Sequence, residues 1–127
     1  MAVFTRESLS PGGVQDAGAG IQINGTVLTN FHRGSTTATI YHEVHLWASN
    51  TGTVTETIVL GVGYDTGGSP AAKDKAHYEI QPNETIYLAP GFTLKGDGTA
   101  KEIGATLVDN RTTVNVFGYV NVIDQTP

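Results

Sequence analysis

The stretch TTVNVFGYVNVI (112–123) sets Val114, Val116, Gly118, Val120 and Val122 against Thr113, Asn115, Phe117, Tyr119, Asn121 and Ile123. Successive side chains of an extended chain leave opposite faces. One face of this run is therefore valine interrupted by one glycine, and the other is amphipathic, which predicts a central strand with one side on a core. The stretch TTATIYHEVHLWASN (36–50) has the same rhythm, with a strand expected over 37–48. There Ile40, Val44 and Leu46 share a face with His42, while Tyr41, Glu43, His45 and Trp47 share the other. VTETIVLGVGY (54–64) begins as an alternating strand and becomes an apolar run, so its second half is expected to be covered on both sides.

Outward from these runs, turns recur at sandwich spacing. AHYEI (76–80), TIYLA (85–89), FTL (92–94) and KEIGATLV (101–108) are separated by QPNE, Pro90-Gly91 and KGDG, and DNR leads into the last run. Asn24-Gly25 is a strong hairpin signal and predicts a first hairpin over 21–31. DTGGSPAAKDK (65–75) is the long internal loop, expected to be exposed and mobile. No stretch holds an apolar face at helical spacing for three turns. The expected fold is all-β, an antiparallel β-sandwich or jelly roll with an extended N-terminal arm: the arm over 1–20 and one sandwich domain over 21–127. Within the arm, Val3, Phe4, Leu9 and Val14 are the candidate anchors, and the segment is read either as loosely docked or as lying across a neighbouring subunit.

Composition narrows the function. With 127 residues and 39% apolar content, the chain can bury roughly two-thirds of its unfolded surface and fold as one domain. Cys is absent, which removes disulfides, thiolate metal sites and thiol nucleophiles. Seven basic residues against twelve acidic ones give a net charge of −5, which argues against nucleic acid or an anionic membrane as partner. The longest uncharged apolar run, Ile58 to Tyr64, is far short of the roughly 20 residues of a spanning helix, and no signal-like apolar segment opens the chain.

Motifs for chemistry are sparse. HEVH (42–45) lacks the gap of a zinc-protease motif, and on a strand His42 and His45 leave opposite faces, so they cannot hold one ion together. His45 is expected beside Trp47 and Tyr41 on a partly covered face, with His32 and His77 solvated at strand edges. GVGYDTGG (61–68) has neither the dinucleotide-binding spacing nor the lysine of a phosphate loop, and no serine stands in a nucleophile elbow. The carboxylates lie singly on strands and turns, and KGDG reads as a turn rather than a calcium loop. The expectation is a protein that is not an enzyme and has no cofactor and no metal.

The order LWASNTGTVTETIVLGVG (46–63), a Gly-rich loop, YEIQPNETIYLAPGFTLKGDG (78–98) and ATLVDNRTTVNVFGYVNVI (105–123) resembles small virion proteins of tailed bacteriophages with a sandwich or jelly-roll fold. The matching unit is Ile80, Pro82 (displaced by one residue), Thr85, Leu88, Gly91, Leu94, Gly96 and Asp97. The resemblance covers about residues 36–123 and leaves out the arm and the 21–31 hairpin. It implies a capsid decoration (cement) protein on the outside of the major-capsid shell, commonly a trimer, made in the host cytoplasm and bound to the major capsid protein, or else a neck or tail component. On that reading Phe4 and Leu9 are candidate clasps on a neighbour. Tyr41, Trp47, Phe117 and Tyr119 are candidate aromatics at a subunit or capsid face, with the core as their alternative location. A carbohydrate-binding sandwich module is the other reading, since jelly rolls that carry aromatics also bind glycans.

Overall fold

A computed structural model of the chain describes residues 3–13 and 19–126. Nine strands occur among them: β1 (Val3–Glu7), β2 (Ile21–Gln22), β3 (Thr29–Arg33), β4 (Ile40–Asn50), β5 (Glu56–Asp65), β6 (Lys75–Ile80), β7 (Thr85–Lys95), β8 (Lys101–Leu107) and β9 (Val114–Asp124). They form two antiparallel sheets. One runs β1-β9-β4-β7, with the short β2 also on β9, and the other runs β3-β8-β5-β6. Apart from the β5–β6 hairpin, each connection from β2 onward crosses from one sheet to the other, which is the winding of a jelly roll. The fold is an antiparallel all-β sandwich, as its alternating runs predict.

The alternation places the core. β4 and β9 pair without a break from Ile40 opposite Asp124 to Asn50 opposite Val114. Their inward residues Val44, Leu46, Ala48, Val114, Val116 and Val120 are all buried. From the other sheet Phe31, Ile58, Leu60, Ile103 and Leu107 close on them. Burying a Val, Leu, Ile or Phe side chain fully contributes about 1.5–3 kcal/mol, so these two layers hold the sandwich together.

Three expectations about local structure are corrected. The Asn24-Gly25 turn forms, with Gly25 at φ 59° and the Val27 N–H donating to the Asn24 carbonyl at 3.1 Å, but no hairpin follows. Ile23 donates its N–H to Val114 in one sheet, and Gly25 accepts from Leu107 in the other. Ile23 and Phe31 both need the space between the sheets, and the turn carries the chain across it. Pro90-Gly91 is not a turn either, because β7 runs through it. Gly91, at φ 86°, is an extra residue between partners of Val44 and His45, a bulge that bends the strand without ending it. His32, expected in solvent, is 1% exposed. The pairing of β3 with β8 slips between Asn30 and His32, and both Phe31 and His32 are buried.

The N-terminal segment docks on its own chain. β1 pairs with β9 from Val3 opposite Asp124 to Glu7 opposite Val120. Leu9, expected to clasp a neighbour, is 2% exposed within this chain's core, so its apolar surface is already used. Val14 lies outside the described residues.

Candidate functional site

The face of the five-stranded sheet that points away from the core gathers most of the aromatic side chains. Register decides this. Trp47 on β4 stands opposite Phe117 on β9 and Tyr87 on β7, and His45 stands opposite Tyr119. Trp47 and Tyr87 lie nearly parallel, with centroids 4.8 Å apart and planes 10° apart; Trp47 and Phe117 are 6.3 Å and 12° apart. His45 and Tyr119 stack at 4.8 Å and 18°. Parallel rings at 4.8 Å overlap face to face, because rings side by side in one plane must clear each other's width. Trp47 therefore overlaps Tyr87 and His45 overlaps Tyr119, and Phe117 extends the row with its ring nearly parallel to Trp47.

Polar groups fix this stack at both sides. The Arg6 guanidinium on β1 lies 4.2 Å from the Tyr119 ring centre, and its Nε donates to Asn121. Glu43 Oε1 accepts from Asn121 Nδ2 at 3.0 Å and lies 2.8 Å from His45 Nε2. With Glu43 ionised, His45 donates from Nε2, and its Nδ1 accepts the Tyr87 hydroxyl proton at 2.6 Å. The hydrogen bonds from His45 first and Asn121 second hold the Glu43 carboxyl below its ordinary value. The side chains of four strands are thereby locked into one surface.

Two open depressions lie on it. One, of about 400 Å³, is lined by Trp47, Thr85, Phe117, Gly118 and Tyr119. The other, of about 420 Å³, is lined by Phe4, Thr5, Arg6, Glu43, Asn121 and Ile123. Phe4 is 71% exposed, Tyr87 47% and Phe117 40%, while Tyr41 is half-buried with Lys95 Nζ 5.6 Å above its ring. Five of the six nominated residues, Phe4, Tyr41, Trp47, Phe117 and Tyr119, thus share one outer face, and Leu9 does not. Tyr87 and Arg6 were missed, and His45 stands on this face beside Trp47 as expected. The period of TIYLA places Tyr87 on a face but does not say that β7 pairs with β4.

The HEVH pair divides as its spacing requires. His45 joins the outer ring stack, and His42 turns inward to His32, 2.7 Å away. Among the described residues, no group of three or more His, Asp or Glu comes together as a metal site. The buried carboxylates are ion-paired, Glu102 with Arg33 at 3.1 Å and Glu56 with Arg111 at 2.9 Å, and each leaves Oε2 without a hydrogen-bond partner. Tyr64 donates to Asn30, and burial, with Glu102 beside it, pushes its phenol above the ordinary value.

No protein-family model and no curated protein matches this chain. Among solved structures, it is similar to the CBM22-1 and GH10 modules of endo-1,4-β-D-xylanase 10B from Clostridium thermocellum, complexed with xylohexaose. The identity is 15% and the TM-score 0.41, over 94% of this chain and 24% of that one, so the chain spans about a quarter of that structure's length.

Proposed function

We propose that this chain is a capsid decoration protein of a tailed bacteriophage, bound to the major-capsid shell through the outer face of its five-stranded sheet. The observation that carries the proposal is the ring stack of Phe117, Trp47, Tyr87, His45 and Tyr119. Trp, Tyr and Arg are the residues that most often dominate binding energy at protein interfaces, and here they are held rigid in advance by one another and by Glu43 and Asn121. A rigid face loses little side-chain entropy on docking. A decoration protein that binds the assembled shell alone stabilises it by mass action, and a trimer would multiply modest contacts.

A specific observation favours carbohydrate binding as the second reading: the depression bordered by Trp47, Phe117 and Tyr119 beside Thr85 brings aromatic rings next to a hydroxyl. Sugar rings stack on exposed aromatic faces, and here one face of Trp47 lies against Tyr87, nearly parallel with centroids 4.8 Å apart. That geometry suits a protein partner better.

Quantitative mass spectrometry of the source particle tests the proposal. Hundreds of copies per particle are expected for a decoration protein. A few copies move the chain to the neck or tail, and absence returns the question to glycans. Trp47 is the single tryptophan, so its emission reports directly on the face. A shift on mixing with bare shells and none with soluble β-glucan or xylan supports the proposal, and the opposite pattern overturns it.

A further inference from the structure

Where the N-terminal segment meets both sheets, two imidazoles lie ring to ring. His32 of β3 and His42 of β4 have centroids 5.0 Å apart, and His32 Nε2 is 2.7 Å from His42 Nδ1. The other nitrogen of His32, Nδ1, accepts the backbone N–H of Ser10 at 2.9 Å. Ser10 in turn accepts from Arg33 N–H and from Gly13 N–H, so the segment around it is tied to β3 through His32 and the backbone. We propose that His32 and His42 form a proton-released clasp that holds the segment from Glu7 to Gly13 on the sandwich and lets it go in mild acid.

The donors fix the proton positions. A backbone N–H only donates, so His32 Nδ1 carries no proton, and neutral His32 carries its proton on Nε2. That proton is donated to His42 Nδ1, which leaves the proton of neutral His42 on Nε2. A further proton has no place in this chain. On His32 Nδ1 it meets the Ser10 N–H; on His42 Nδ1 it meets the His32 proton, unless His32 changes tautomer and again confronts Ser10. Protonation of His32 Nδ1 therefore breaks the link to Ser10, and protonation of His42 Nδ1 breaks either the contact between the two rings or, through the tautomer change, that same link.

The surroundings set the direction. Opposite His42 in its sheet stand Val122 and Leu94, and opposite His32 stands Ile103, none of which titrates. Arg33, next to His32, is engaged by Glu102 of β8. From β1, the Glu7 charge favours protonated His42, but burial outweighs it and lowers that pKa. Burial first, and His42 second, bring His32 down to about 3. Both groups are depressed in the clasped state, so the clasp is complete above the ordinary histidine pKa of 6.5 and weakens as pH falls from there toward the depressed values. While opening takes up one proton, the ratio of open to clasped molecules rises about tenfold per pH unit.

Amide hydrogen exchange on the full chain from about pH 7.5 to about pH 5, corrected for intrinsic rates, tests this. The expected result is that Ser10 and Gly13 lose protection about tenfold per unit below the histidine pKa, while Leu46 and Val116 keep theirs. Parallel loss in core and segment, or no pH slope, overturns the proposal. In His32→Asn the side-chain oxygen can still accept from Ser10 but does not titrate in this range, and the slope should fall to what His42 alone supplies; an unchanged slope also overturns the proposal. Imidazole nitrogen NMR of the unmutated chain decides the matter even if that variant does not fold. Nε2–H tautomers for both rings are expected, and an Nδ1–H tautomer for His32, or either ring titrating at its ordinary value, refutes the clasp.

Discussion

The two sheets turn very different outer faces to their surroundings. On the four-stranded sheet the chain covers itself. Pro70 of the 65–75 loop sits where a Cβ on Gly61 would be, Tyr64 lies over Gly104 and donates to Asn30, and Arg33 pairs with Glu102. Lys75, His77 and Glu79 on the edge strand β6 are exposed and complete a polar surface. Among the described residues, no such loop covers the rings of the five-stranded sheet. It offers a stack of aromatic side chains braced by Arg6, Glu43 and Asn121. The first face is finished by this chain's own residues, whereas the second leaves Tyr87 and Phe117 exposed.

Substitutions can break this comparison. The largest effect is expected from Gly118→Ala. A Cβ there lands on the His45 carbonyl, so β9 must move away from β4 at the centre of the ring stack. The loss should be about 3 kcal/mol or more in urea unfolding, with altered Trp47 emission. Arg33→Met, on the other sheet, strands the 1%-exposed Glu102 carboxylate. Because Arg33 itself is a third exposed, the cost should be about 2 kcal/mol, below that of a fully buried pair, with Trp47 emission unchanged. Gly61→Ala pushes only on Pro70, at the tip of a loop. About 1 kcal/mol and faster proteolysis within 65–75 are expected, and a core-wide loss would show that the loop is integral to the sandwich. Arg6→Ala removes one cation over Tyr119 and should cost only about 0.5–1 kcal/mol, while weakening capture of shells if the ring face is the docking face.

Much of this architecture is legible in the chain alone. The faces of β4 and β9 follow from alternation, because a strand has a side-chain period of two whatever it packs against. Where that period breaks, expectation and structure part. The slip at Phe31 puts His32 inside, Gly91 carries β7 past an apparent turn, and Gly63, at φ 77°, shifts the register of β5 so that Tyr64 faces outward opposite Glu102. A bulge adds one residue and reverses every later side chain, and nothing local distinguishes its glycine from that of a turn. The hairpin at Asn24-Gly25 is absent for another reason: the turn chemistry is right, but the partners of its two flanking strands are elsewhere.

By itself, then, the sequence determined that the chain is a sandwich of short strands, which side of β4 and β9 is core, and that Trp47, Phe117 and Tyr119 lie on the opposite faces of those strands from the valines and leucine. Only the tertiary structure decided that Trp47, Phe117 and Tyr87, from three strands, stand in one row, that Leu9 is spent inside its own chain, and that His32 meets His42. The physical reason is that alternation is a property of one strand, encoded within a few residues. Neighbourhood depends on which strands pair and in what register, and that is settled only when the two faces of the whole core close on each other.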